Sequence, residues 1–66
     1  MKKIRMTESE FHENVEDNMG FCVACGGSQC SCEPDARNYE CEECGQRKVF
    51  GTEELLLMGQ LIIIGE

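Results

Sequence analysis

Phe21-Cys22-Val23-Ala24-Cys25-Gly26-Gly27 and Tyr39-Glu40-Cys41-Glu42-Glu43-Cys44-Gly45 are the two stretches that decide this fold. Each carries a C-x-x-C-G, and fifteen residues lie between Cys25 and Cys41. Two C-x-x-C pairs at that separation have the spacing of a four-thiolate zinc site. The glycines after each pair allow the tight turn that points two sulfurs at one ion. Cys22, Cys25, Cys41 and Cys44 are therefore the expected ligands of one Zn²⁺ per chain, with sulfur–metal distances of about 2.3 Å. Iron is a chemically reasonable substitute, because tetrahedral thiolate coordination suits both metals. A site closed by four thiolates is structural, with no position left for substrate or water. A redox role for the first pair is disfavoured. Such dithiols sit at a helix N-terminus, and here two glycines follow instead.

The metal also answers a problem of size. The chain has 66 residues, enough for one domain, and 41% are hydrophobic, but six of those are cysteines. Three Phe and one Tyr are its only aromatic residues. A single core of this size rarely supplies more than about 3–5 kcal/mol. Structural zinc in finger-like peptides contributes about 10–16 kcal/mol of apparent binding energy at neutral pH. The expectation is an α+β chain in which the ion dominates stability.

Charge narrows the range of partners. The formal net charge is −7. Residues 1–6 hold Lys2, Lys3 and Arg5 and no acid, whereas residues 7–35 hold seven acids and no Lys or Arg. Residues 36–50 balance three bases against three acids, and Glu53, Glu54 and Glu66 follow. Four thiolates on one Zn²⁺ add about two further negative charges. Such a surface repels phosphate backbones, so nucleic acid is a disfavoured partner. A secreted disulfide scaffold is the rival explanation of the cysteines. Met-Lys-Lys is followed by acidic and polar residues, however, and not by the apolar run of a signal peptide. No stretch reaches the length needed to span a bilayer. A cytoplasmic chain with reduced, metal-bound thiols is expected.

Local signals place elements around the cysteines. Residues 7–18 read as a helix: Thr7 is a candidate N-cap, Glu10 completes a capping box, and Met6 and Phe11 form a hydrophobic staple. Gly20 is a plausible stop. Strands are expected over Phe21–Val23, residues 28–32, residues 38–42 and residues 46–50, with a turn at Pro34-Asp35. Thr52 is a candidate cap for a second helix, with Glu53 and Glu54 in its first turn. Gly59 interrupts the pattern. Leu61–Ile64 either continues that helix or becomes a strand, and its isoleucines favour a strand. The chain divides into an N-terminal arm and helix (1–19), a metal-binding body (20–51) and a C-terminal helix with an apolar tail (52–66).

These residues carry a resemblance. Two C-x-x-C-G knuckles on β-turns resemble the zinc ribbon, in which two turns clamp one ion at the end of a small antiparallel sheet. Glu33-Pro34-Asp35-Ala36-Arg37-Asn38-Tyr39 and Val49-Phe50-Gly51-Thr52-Glu53-Glu54-Leu55-Leu56-Leu57-Met58-Gly59 look like a pattern found in small zinc-ribbon proteins of bacteriophages and prophages. The resemblance covers about residues 20–60. It implies a zinc ribbon with flanking N- and C-terminal helices and a phage-related setting, in which cytoplasmic means the host cytoplasm. It implies no activity. Cys30, Cys32 and the apolar tail depart from the pattern.

Other residues admit a plain and a sharper reading. Cys30 and Cys32, two apart on an expected strand, share a face. They are free thiols or, with His12, a second metal site, which would make the chain a redox or metal-handling protein. His12 by itself reads as a surface residue. Arg37, Arg47 and Lys48, with Tyr39 and Phe50, read either as charge balance or as a basic–aromatic face for nucleic acid or transcription machinery. Leu55–Met58 and Leu61–Ile64 exceed what so small a body covers. They predict core packing, a partner protein or a homodimer formed by pairing Leu61–Ile64 across a two-fold axis. No acid–base constellation suggests catalysis. The expected function is a non-enzymatic interaction module.

Overall fold

The computed structural model describes residues 2–65, so Met1 and Glu66, at the ends of the two terminal segments, lie outside the described residues. Seven elements follow in order: β1 (Ile4–Thr7), α1 (Glu8–Glu16), β2 (Gly20–Cys22), β3 (Ser28–Gln29), β4 (Val49–Gly51), α2 (Thr52–Leu57) and β5 (Leu61–Ile64). They form two sheets. β3, β2 and β4 make an antiparallel sheet with β2 in the middle, and β1 pairs with β5 in parallel.

The start of α1 follows from its sequence. Thr7 adopts an extended backbone and its side chain accepts from the Glu10 N–H, while Glu10 accepts from the Thr7 N–H at 2.8 Å. This reciprocal pair satisfies two donors that a helix start leaves unpaired. Met6 is buried, and Phe11 packs against the same cluster. The helix ends earlier than expected. Asn18 takes the left-handed conformation (φ 54°), so the turn comes before Gly20, and Gly20 opens β2 instead. Gly20 is needed there for space: a Cβ would stand 2.7 Å from the Cys32 sulfur.

The antiparallel sheet sorts its side chains by the two-residue period of a strand. Phe21 and Phe50 are registered partners on one face, and Cys22 and Val49 on the other. The first face meets an aliphatic core of Met6, Val23, Phe50, Leu55 and Leu61. The second meets a smaller cluster of Cys22, Cys32, Ala36, Cys41 and Val49. α2 extends β4 directly. Its N-cap is Gly51, and Thr52, expected as the cap, is the first helical residue. The Thr52 hydroxyl donates instead to the Met19 carbonyl at 2.9 Å, tying α2 to the chain after α1.

Several expected strands are shorter than their sequence pattern. Residues 28–32 supply only Ser28–Gln29, because Ser31 enters the left-handed region (φ 64°). Residues 38–42 and 46–50 contribute a single bridge, Tyr39 to Val49, besides β4 itself. The tail is a strand, and its partner is the basic N-terminal arm: Ile4 lies opposite Leu61, and Thr7 opposite Ile64.

Candidate metal centre

The two knuckles are the same turn built twice. In the first, the Gly26 N–H donates to the Cys22 carbonyl (2.8 Å) and the Cys22 N–H to the Gly27 carbonyl (2.8 Å). In the second, the Gly45 N–H donates to the Cys41 carbonyl (2.9 Å) and the Cys41 N–H to the Gln46 carbonyl (2.8 Å). Gly26 and Gly45 both take the left-handed conformation, at φ 83° and 78°. Each turn closes on a glycine because a Cβ would clash with the backbone in that region.

The turns bring four sulfurs together. The Sγ atoms of Cys22, Cys25, Cys41 and Cys44 all lie within 4.8 Å of one another. The close pairs run between knuckles, Cys22 to Cys44 and Cys25 to Cys41, each 3.6 Å. A tetrahedron with metal–sulfur bonds of about 2.3 Å has edges of about 3.8 Å. The four cysteines are therefore positioned to bind a metal ion, in a size compatible with one zinc. Cys22 and Cys41 are buried, and Cys25 and Cys44 lie nearer solvent.

Backbone amides point at these sulfurs. Cys22 accepts from the Cys25 N–H (3.5 Å), Cys25 from the Gly27 N–H (3.4 Å), and Cys41 from the N–H groups of Glu43 and Cys44 (3.4 Å each). Such donors favour the thiolate. The Cys44 and Glu43 amides draw the Cys41 thiol down to about 7. At Cys25 the Gly27 amide pulls the same way, but desolvation and the neighbouring sulfurs outweigh it and push the thiol up to about 12. Cys44 is raised in the same manner, its Gln46 amide being outweighed by desolvation and by Cys41 and Cys22. Four thiolates this close repel one another. A dication resolves that repulsion, which is the chemistry the donor set fits.

Two supporting residues carry no motif that would have exposed them. The Gln29 side chain donates to the Glu40 carbonyl (3.1 Å) and accepts from the Glu42 N–H (3.1 Å), clasping both neighbours of Cys41. Val23, inside the first C-x-x-C, is 1% exposed and belongs to the aliphatic core on the far side of the sheet. Its N–H donates to the Lys48 carbonyl (2.9 Å) and its carbonyl accepts from the Lys2 N–H (2.7 Å).

The remaining candidates separate. Cys30 and Cys32 do not share a face: Cys30 is exposed, whereas Cys32 is fully buried beside Gly20. The left-handed Ser31 between them breaks the strand alternation. Burial, above all, raises the Cys32 thiol. Among the described residues the only cluster of three or more metal-ligating side chains is the cysteine quartet, so His12 is not gathered with Cys30 and Cys32. His12 is exposed on α1, 3.7 Å from Glu8. The basic–aromatic face also dissolves. Phe50 is 7% exposed in the core, and Arg37 pairs with Glu54 at 3.2 Å. Tyr39 donates its hydroxyl to Glu33. Arg47 and Lys48 are exposed.

No protein-family model matches this chain, and neither a curated protein nor a solved structure matches it. Fold and site define it as a small α+β protein with four clustered cysteines positioned to bind a metal ion. No helix among the described residues is long and apolar enough to cross a membrane.

Proposed function

We propose that this chain is a zinc ribbon acting as a non-enzymatic protein-interaction module in the cytoplasm, in a phage- or prophage-related setting. The observation that carries the reading is the composition of the centre. Four cysteine sulfurs surround one ion-sized space, and a site filled by four thiolates leaves no open position for substrate or water. Zinc then holds the two knuckles in register and does no chemistry. What remains for function is surface. Leu56, Leu57, Ile63 and Ile64 are exposed at 43%, 80%, 39% and 43%, and small soluble chains seldom leave such side chains without use. The phage-related setting rests on the resemblance of residues 20–60 alone.

The test has two parts. Native mass spectrometry is expected to find one zinc per chain, lost together with the fold on denaturation. Immobilised zinc-loaded protein is expected to capture a specific protein that the chelator-stripped chain does not. Absence of zinc, or capture that is identical with and without it, overturns the proposal.

A further inference from the structure

Two open faces of this chain match each other. The first is the outer face of the β1–β5 sheet. The aliphatic core takes Ile4, Met6 and Leu61 from the inner face, and neither Ile62 nor Ile64. By the two-residue period, the outer face carries Arg5, its registered partner Ile62, and Ile64 two residues on. Arg5 is exposed, and Ile64 is 43% exposed. Lys3, also exposed, stands just before β1 and continues the row that Arg5 begins. The chain holds thirteen Asp and Glu, yet among the described residues Arg37 is the only Lys or Arg in an ion pair. This face is therefore a row of cations beside a row of isoleucines.

The second is the open face of α2. Thr52, Glu54 and Leu55 are buried, whereas Glu53, Leu56 and Leu57 are exposed. Spacings of three and four residues put those three side chains on one side of the helix. Leu57, at 80%, is barer than Leu56, Ile63 or Ile64. This face is one carboxylate beside two leucines. Four residues of helix rise about 6 Å. Ile62 and Ile64 lie about 6.6 Å apart along β5, and a neighbouring strand stands about 5 Å away. A carboxylate and a leucine of α2 therefore meet a cation and an isoleucine of the sheet together.

We infer that the chain associates with itself through these two faces, α2 of one copy seated on the outer face of the β1–β5 sheet of another. Glu53 then lies against Arg5 and Lys3, and Leu56 and Leu57 lie against Ile62 and Ile64. The inference rests on the interaction-module reading and names the partner, a second copy. Charge selects the pairing of unlike faces. Two sheet faces would set Arg5 and Lys3 against cations, and two α2 faces would set Glu53 against a carboxylate. Every copy carries both halves of the match, so no foreign segment is needed to cover either. The net charge of −7 on each copy opposes the contact. At physiological salt that repulsion is screened beyond about 8 Å, whereas the facing groups touch. A contact between unlike faces closes into a dimer or ring where the rotation allows it, and otherwise continues as an open chain.

The test is sedimentation of the zinc-loaded chain from micromolar to millimolar concentration, with isotope-filtered NMR on a mixture of labelled and unlabelled copies. Association that grows with concentration is expected, together with intermolecular methyl contacts from Leu57 to Ile62 and Ile64. Leu57→Asp is expected to weaken association by about tenfold or more, as for loss of one buried leucine side chain. Unmoved amides of Tyr39 and Val49 show that the variant is folded. Glu53→Lys moves the net charge toward zero, which by itself would strengthen association. The inference instead expects it to weaken association by roughly two- to fivefold, as for loss of an exposed ion pair. Mixing Glu53→Lys chains with Arg5→Glu chains is expected to restore association, because each charge then faces its opposite. A chain that stays monomeric at millimolar concentration overturns the inference. So does a folded Leu57→Asp or Glu53→Lys chain that associates as tightly as the parent. Methyl contacts from Ile62 of one copy to Ile62 of another, the mark of β5 pairing edge to edge, overturn it as well. These outcomes leave the module reading standing, because that reading fails only on zinc content or zinc-dependent capture.

Discussion

Gly45 takes φ 78° with nothing within 4 Å of where a Cβ would stand. A substitution there meets no neighbour, so its cost is backbone strain alone. Gly45→Ala is expected to destabilise the zinc-loaded fold by about 1–2 kcal/mol, and Gly45→Asn by less, since Asn enters the left-handed region more readily. Chelator competition should show this as roughly a tenfold loss of zinc affinity for the alanine variant. Undiminished affinity would mean that the second knuckle tolerates another turn. Glu33 offers a test by pH. Its carboxylate accepts from the Tyr39 hydroxyl, and this hydrogen bond lowers its pKa. A depressed carboxyl contributes stability that is present above its unfolded value and lost as pH falls through the folded one. Carboxyl NMR is expected to show Glu33 titrating below the ordinary glutamate range and returning toward it in Tyr39→Phe. At this scale the gathering of Cys22, Cys25, Cys41 and Cys44 was legible, because C-x-x-C-G encodes a local turn. The fates of Cys30 and Cys32 were not. They turn on the backbone of Ser31, whose left-handed φ of 64° leaves no mark in composition.

Elements were legible where their determinants are close in sequence. The Thr7–Glu10 capping box spans three residues, and the structure forms it. Thr7→Ala is expected to cost about 1 kcal/mol, read from urea unfolding of the zinc-loaded chain. An unchanged midpoint would show that packing of Phe11 alone sets the helix start. Elements defined by distant partners were hidden. Ile4–Thr7 looks like a basic arm by its charge, although Lys3-Ile4-Arg5-Met6 alternates polar and apolar residues as a half-buried strand does. It becomes one by lying beside Leu61–Ile64, at the other end of the chain. The burial of Phe50 was hidden for a related reason. Alternation along β4 puts either Val49 or Phe50 toward the aliphatic core, and only the pairing with β2 decides which. The clasp by Gln29 belongs to the same class. Gln29→Ala removes a donor and an acceptor that hold Glu40 and Glu42.

Across the whole molecule, the cysteine cluster and the aliphatic core share a residue. Val23 stands between two of the cysteines, yet its side chain packs with Met6, Phe50, Leu55 and Leu61. Its backbone holds β1 through Lys2 and the second half of the body through Lys48. A two-stranded sheet such as β1–β5 is marginal in isolation, and a core this small supplies only about 3–5 kcal/mol. On the proposed zinc reading, a chain without its ion has four crowded sulfurs with no cation between them, and its first knuckle lacks the constraint that aims Val23 into the core. Stripping zinc with a chelator is therefore expected to collapse both sheets together. The amides of Met6 and Leu61 should lose their dispersed positions at the same chelator concentration as those of Cys22 and Val49, with a parallel loss of far-ultraviolet ellipticity. Returning zinc should restore both sets at one ratio of metal to chain. If the amides of Met6 and Leu61 kept their positions while those near Cys22 moved, the β1–β5 layer would be folding on its own. Val23 would then be a passenger in the core, and the zinc would govern the knuckles alone.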